Sequence, residues 1–187
     1  MQTIERGMNL EDMSVFPLFL RGTVINGFGR GSKQLGCPTA NLPVEQYEET
    51  IKDIPVGVFY GWAKVTGVDT EVHKMVMSIG WNPFYKNEKK TIEIHILKRY
   101  DEDFYSKEIS AIATGFIRPM CDFNDLPGLI QAIQDDISFA GNQLESSEQQ
   151  QTYRSHNFFV GCISPAPEQT FHNQNGESLS HSVVSLK

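Results

Sequence analysis

Basic residues are in short supply in this chain. Its 187 residues hold 16 Lys and Arg against 23 Asp and Glu, a formal net charge of -7. That balance argues against nucleic acid or an anionic membrane as a partner, because binding phosphates over a wide surface needs clustered cations. The single locally basic stretch, KNEKK at 86 to 90, is no longer than a loop. Long apolar runs are missing too: nothing approaches the roughly 20 residues of a membrane span, so no membrane insertion is expected. The opening MQTIERGMNLEDM has neither the apolar core of a secretory leader nor the basic, acid-poor character of a transit peptide. Cysteine is sparse. Cys37, Cys121 and Cys162 are odd in number and form no CxxC pair, which excludes the usual zinc and redox motifs and predicts free thiols. A cytoplasmic protein is expected.

What is present reads mainly as strands. The stretches at 16 to 25, 55 to 65, 73 to 81, 91 to 97 and 108 to 118 are short, rich in β-branched and aromatic residues, and separated by Gly, Pro, Asn or Asp. Such spacing favours an antiparallel barrel or sandwich over a βαβ fold. One helix follows, in DLPGLIQAIQDDISFAGNQLE. Asp125 is its expected N-cap, and Leu129, Ile130, Ile133, Ile137 and Leu144 are its expected buried face. The length predicts one domain at 15–145, after an extension at 1–14. The polar end at 146–187 has too few aliphatic residues to order itself, apart from NFFV at 157–160, which is expected to dock on the body.

Between the first two apolar runs lies GFGRGSKQLGCPTANL, residues 27 to 42. It is not a P-loop, because Ser32 stands where the second glycine belongs and Gln34 follows Lys33. Nor is it a dinucleotide fingerprint, because Gly27, Gly29 and Gly31 have the spacing GxGxG and Pro38 soon follows. Two readings stay open: a mobile surface loop, or a pliant main chain whose N–H groups cradle an anion beside a lysine. After Pro38, the side chains of Thr39 and Asn41 leave an extended chain on the same side. Together they present two neutral hard oxygens, a partial shell for Mg²⁺ shared with phosphates, unless the segment is only a turn and a short edge strand. In TIEIHIL, Ile92, Ile94 and Ile96 share one face, leaving Thr91, Glu93, His95 and Leu97 on the other. Glu93 is a candidate general base there, or one residue of a merely wet strand face. No second ligand at metal spacing accompanies His95.

The ordered segments GFGRGSKQLGCPTANLP, GVFYGWAKV, HKMVMSIGWNPFYKNEKKTIEIHIL, DEDFYSKEI and GFIRPMCDFNDLPGLIQAIQDDI resemble the monofunctional riboflavin kinases of eukaryotes. The resemblance runs from about residue 16 through the helix and returns at NFF, 157 to 159. Ser106 departs from it, standing where the family usually has glycine, and neither end of the chain has a counterpart.

This resemblance implies a six-stranded Greek-key antiparallel barrel with a C-terminal α-helix. It also implies transfer of the ATP γ-phosphoryl group to the ribityl 5'-hydroxyl of riboflavin, giving FMN and ADP. Glu93 would be the catalytic base, and Thr39 and Asn41 would hold Mg²⁺, with Zn²⁺ or Mn²⁺ as alternatives. Gly27, Lys33, Thr39, Ile96 and Tyr105 would meet ATP; Arg118 and Phe123 would meet the flavin. A monomer is expected. Two other classes remain open at this point: a barrel that carries FMN as a redox cofactor, and an interaction module that binds through the polar end.

Overall fold

The computed structural model describes residues 15–27, 36–81 and 89–160. The loop containing Lys33, the extension at 1–14 and the end from 161 onward lie outside the described residues. The five expected strands are β1 (Leu18–Thr23), β3 (Gly57–Val65), β4 (His73–Trp81), β5 (Lys90–Ile96) and β6 (Glu108–Pro119). A three-residue strand, β2 (Ala40–Leu42), lies within CPTANL. All neighbours pair antiparallel, in the order β1-β6-β3-β4-β5-β2. Beyond β1 the chain reaches Ile25, whose N–H donates to the Asn41 carbonyl at 2.9 Å. That bridge joins the two edges, so the sheet is a nearly closed barrel.

Two-residue alternation decides what fills it. Met75, Met77 and Ile79 of β4 and Ile92, Ile94 and Ile96 of β5 point inward, where they meet Leu20, Phe59 and Phe116. The residues between them are only partly buried and face outward. β3 and β6, by contrast, are buried on nearly every residue. Their outward side chains Val58, Tyr60, Trp62, Ile112 and Ile117 lie under a second apolar layer that includes Ala140, Leu144 and Phe159. Residues 114 and 117 have no partner in the β3–β6 register, marking two bulges that turn the end of β6 toward that layer.

The layer is built by α2 (Leu126–Ser146), so the helix flanks the barrel. Asp125 caps it as expected, its carboxylate accepting from the Gly128 N–H at 2.7 Å. The buried face agrees with the expected one at Leu144 and differs elsewhere. Ala132, Asp136, Ala140 and Leu144 are buried, at i, i+4, i+8 and i+12, while Ile130 is exposed. Small residues let the helix lie close on the sheet, and Asp136 comes inside because Arg118 of β6 meets it there.

The polar end docks at NFFV as expected but is also ordered at 148–154, where no order was expected. Glu148–Arg154 forms α3, and Asn157–Phe159 a 3-10 turn. Few aliphatic residues are needed, because aromatic rings and one arginine anchor it. Phe159 is buried; Phe158 meets Phe19 edge-on at 5.1 Å; and the Arg21 guanidinium lies 4.4 Å from the Phe158 ring and donates to its carbonyl. Glu48–Ile51 adds a short helix, α1, whose end is held by Lys90. The Lys90 ammonium donates to the carbonyls of Ile51, Lys52 and Ile54 at 2.7, 2.8 and 2.7 Å, and burial lowers its pKa.

Candidate active site

The outer face of β2 and β5 gathers the polar groups singled out above. Pairing of β2 with β5 sets Ala40 and Leu42 opposite Ile94 and Ile92, all facing the core, and leaves Asn41 opposite Glu93 on the outside. On the other side of β5, Ser78 of β4 stands opposite Glu93. Asn41, Glu93 and Ser78 therefore form one row across three strands. Thr39, one pleat before Asn41, donates its hydroxyl to Glu93 Oε2 at 3.2 Å. A hydroxyl that donates its proton also carries two acceptor lone pairs. The Asn41 amide sits within 3.5 Å of the Thr39 carbonyl.

Two neighbours hold the segment in place. His95 Nδ1 lies 2.8 Å from the Pro38 carbonyl; a carbonyl only accepts, so this nitrogen carries the proton. Gly27 packs against the Asn41 side chain so closely that a Cβ added there would come within 2.5 Å of its amide nitrogen. The carboxylate, hydroxyl, amide and glycine are thus brought together, although 66 residues separate the first from the last in the chain.

The other expected site residues are more dispersed. The Ile96 side chain is buried in the barrel core, so a nucleotide could meet only its main chain, whose carbonyl accepts from the Lys98 N–H at 2.7 Å. Tyr105 is exposed, on the turn between β5 and β6. Ser106 has φ +61°, a left-handed conformation that explains why glycine suits this position. Arg118 is 4 % exposed and committed within the protein. It donates from Nε to both Asp136 oxygens at 3.0 Å, from Nη2 to Oδ2 at 2.7 Å, and from Nη1 to the Pro119 carbonyl and Cys121 Sγ. Phe123 lies 5.7 Å from that guanidinium, so Arg118 anchors the loop that carries Phe123.

A second polar cluster went unnoticed in the sequence. The Asp69 side chain, with no exposure, accepts from the Val65 N–H at 2.8 Å, Lys98 at 2.7 Å and Tyr100 at 2.8 Å. Burial pushes its carboxyl up, but those three donors together hold it below its ordinary value. Burial and Asp69 raise the Tyr100 hydroxyl. The cluster fixes the start of the β5–β6 connection, and Tyr100 packs at 4.6 Å on Phe104, next to Tyr105. Asp69 lies 29 residues from Lys98 and 31 from Tyr100, and only the fold brings them to it.

Among the described residues, no three His, Cys, Asp or Glu side chains gather to hold a metal. The hard oxygens on offer are those of Thr39 and Asn41, which suit a cation that keeps most of its shell from phosphate. No helix is long and apolar enough to cross a membrane among the same residues.

A six-stranded Greek-key barrel with a flanking C-terminal helix, carrying a carboxylate, a hydroxyl and an amide on its outer wall, defines a class of barrel enzyme fold. The sequence model of one family, described as riboflavin kinase, matches residues 14–144. The riboflavin kinases of mouse and human are 50 % and 51 % identical to the chain over 136 residues, covering 73 % of it and 86 % of each relative. A crystal structure of riboflavin kinase from Trypanosoma brucei superposes with a TM-score of 0.62 at 30 % identity, over 80 % of this chain and 88 % of that one. The chain belongs to the riboflavin kinase family.

Proposed function

We propose that this chain phosphorylates riboflavin, passing the ATP γ-phosphoryl group to the ribityl 5'-hydroxyl and releasing FMN and ADP, on the outer wall formed by β2, β5 and β4. The observation that carries this reading is the Thr39 to Glu93 hydrogen bond beside Asn41, because it sets a proton acceptor next to two neutral oxygens. Glu93 takes the proton of the 5'-hydroxyl as its oxygen attacks phosphorus. The hydrogen bond from Thr39 fixes one carboxylate oxygen and so orients the base. Phosphoryl transfer depends mainly on positioning and charge, so no covalent intermediate on the protein is required.

The oxygens of Thr39 and Asn41 fit Mg²⁺ and would hold it against the nucleotide, where it would neutralise charge on the transferring group. Gly27 keeps the Asn41 amide in place by leaving it room, and Lys33 adds charge near the phosphates. Tyr105 and the main chain at Ile96 border the nucleotide. Phe123 faces the flavin, while Arg118 positions the loop through Asp136. The enzyme acts as a monomer in the cytoplasm.

The reaction is tested by incubating purified protein with riboflavin, ATP and Mg²⁺ and separating the flavins by chromatography. FMN should form in proportion to ADP and fail to form without ATP. ADP release without FMN would contradict the reading.

A further inference from the structure

β2 begins at Ala40, whose partner in the ladder is Ile94, so Thr39 stands one residue before the pairing that fixes the rest of its segment. Side chains tie the two peptide planes that flank it. His95 Nδ1 donates to the Pro38 carbonyl at 2.8 Å, and the Asn41 amide nitrogen lies 3.5 Å from the Thr39 carbonyl. A peptide unit is planar and stiff, so a bond to the Pro38 oxygen also fixes the direction of the Thr39 nitrogen and Cα. Proline locks its own φ but leaves ψ free, and rotation about that ψ is the motion the His95 bond opposes.

Glu93 and His95 are successive outward residues of β5, both half-buried, and such residues are about 7 Å apart along a strand. Glu93 accepts from the Thr39 hydroxyl at 3.2 Å, while His95 holds the carbonyl just before that residue. β5 therefore grips Thr39 at two points, and the two together aim its hydroxyl. On the other side of β5, His95 stands opposite Val76, which packs against the second apolar layer. The polar tie of the imidazole is thus made toward β2.

We propose that His95 is a positioning residue for phosphoryl transfer: through the Pro38 carbonyl it sets the Thr39 hydroxyl, and through Thr39 it sets both the orientation of the Glu93 carboxylate and the hold on Mg²⁺. This rests on the kinase reading above. The imidazole acts as a fixed N–H donor and exchanges no proton with substrate, so a different side chain with an N–H at the same place can replace it.

His95→Ala, His95→Asn, Thr39→Ala and the double variant His95→Ala with Thr39→Ala are compared by thermal unfolding, by calorimetric titration with ATP with and without Mg²⁺, and by steady-state FMN formation. His95→Ala should lower Tm by no more than about 2–4 °C, as for the loss of one neutral hydrogen bond at a half-buried site. Its kcat should fall about 10- to 100-fold and its Kd for ATP with Mg²⁺ should rise about tenfold, the usual effect of losing a group that orients a metal ligand. ATP without Mg²⁺ should bind within about twofold of wild type, because the tie acts on the metal ligand. Asparagine carries an amide N–H close to the position of Nδ1, so His95→Asn should recover kcat to within about threefold of wild type. Added to Thr39→Ala, His95→Ala should cost less than about a further twofold, because it acts through Thr39. A near-normal kcat in His95→Ala, a His95→Asn variant as slow as the alanine one, a full further loss in the Thr39→Ala background, or equal losses of ATP affinity with and without Mg²⁺ would each overturn the proposal. Failure of the kinase reading is distinct from this: the wild-type protein would then make no FMN, while the Mg²⁺-dependent ATP titration would still read the tie between His95 and Thr39.

Discussion

Asp136→Asn is the substitution whose cost the structure defines most sharply. The Arg118 and Asp136 side chains are 5 % and 3 % exposed and joined by three hydrogen bonds, two at 3.0 Å and one at 2.7 Å. The amide keeps the shape and one acceptor oxygen but leaves the guanidinium charge buried without its counter-charge. Removing one partner of such a pair costs about 3–5 kcal/mol, and the retained acceptor places Asn at the low end, about 3 kcal/mol. In a domain of this size that is a fall of about 6–12 °C in Tm. Replacing both residues, as Arg118→Met with Asp136→Leu, should recover most of the stability, because no uncompensated charge remains. The double variant should still bind riboflavin poorly, since the loop carrying Met120 and Phe123 has lost its anchor. Thermal unfolding of the two variants, with flavin titration, reads both effects. A loss below about 1 kcal/mol for Asp136→Asn, or a double variant no more stable than the single, would refute the reasoning.

Acid should weaken the fold through Asp69. Its folded-state pKa lies below the ordinary 3.8, so the stability it adds is present above that value and lost as pH falls below it. Asp69→Asn should cost about 2 kcal/mol at pH 7 and flatten the decline of stability below pH 4, measured by urea unfolding across pH; an unaltered acid limb would argue against the role of this cluster. Ser106→Gly should leave stability unchanged or raise it by up to about 1 kcal/mol, because relief of the left-handed strain competes with a more flexible unfolded chain. Thermal unfolding checks this, and a clear loss would show that the Ser106 side chain contributes contacts of its own.

Much of the barrel was legible because the period-two pattern survives wherever one face of a strand is wet, as in β4 and β5. β3 and β6 could be read as strands but not placed, since burial on both faces erases the alternation that tells inside from outside. The helix was read correctly at its cap and at Leu144, and the rest of its buried face was missed. Hydrophobicity selected Ile130, whereas close packing selected Ala132 and Ala140, and a charge on β6 selected Asp136. At the site, Thr39 and Asn41 could be aligned from spacing of two residues, and Glu93 from its place among isoleucines. Spacing alone could not bring them together, because that depends on the pairing of β2 with β5, which joins Thr39 to Glu93 from 54 residues away in the chain. Asp69 with Lys98, and Lys90 with the end of α1, were hidden for the same reason: each joins charges and carbonyls distant in sequence.

The central claim is that Glu93 removes the proton while the groups around it bind. It is tested most directly by comparing Glu93→Gln with wild type in single-turnover FMN formation, alongside calorimetric titration with riboflavin and with ATP and Mg²⁺. The account predicts affinities for both substrates within a few fold of wild type and a rate lower by about 10² to 10⁴. A rate within a few fold of wild type, with both substrates still bound, would contradict it.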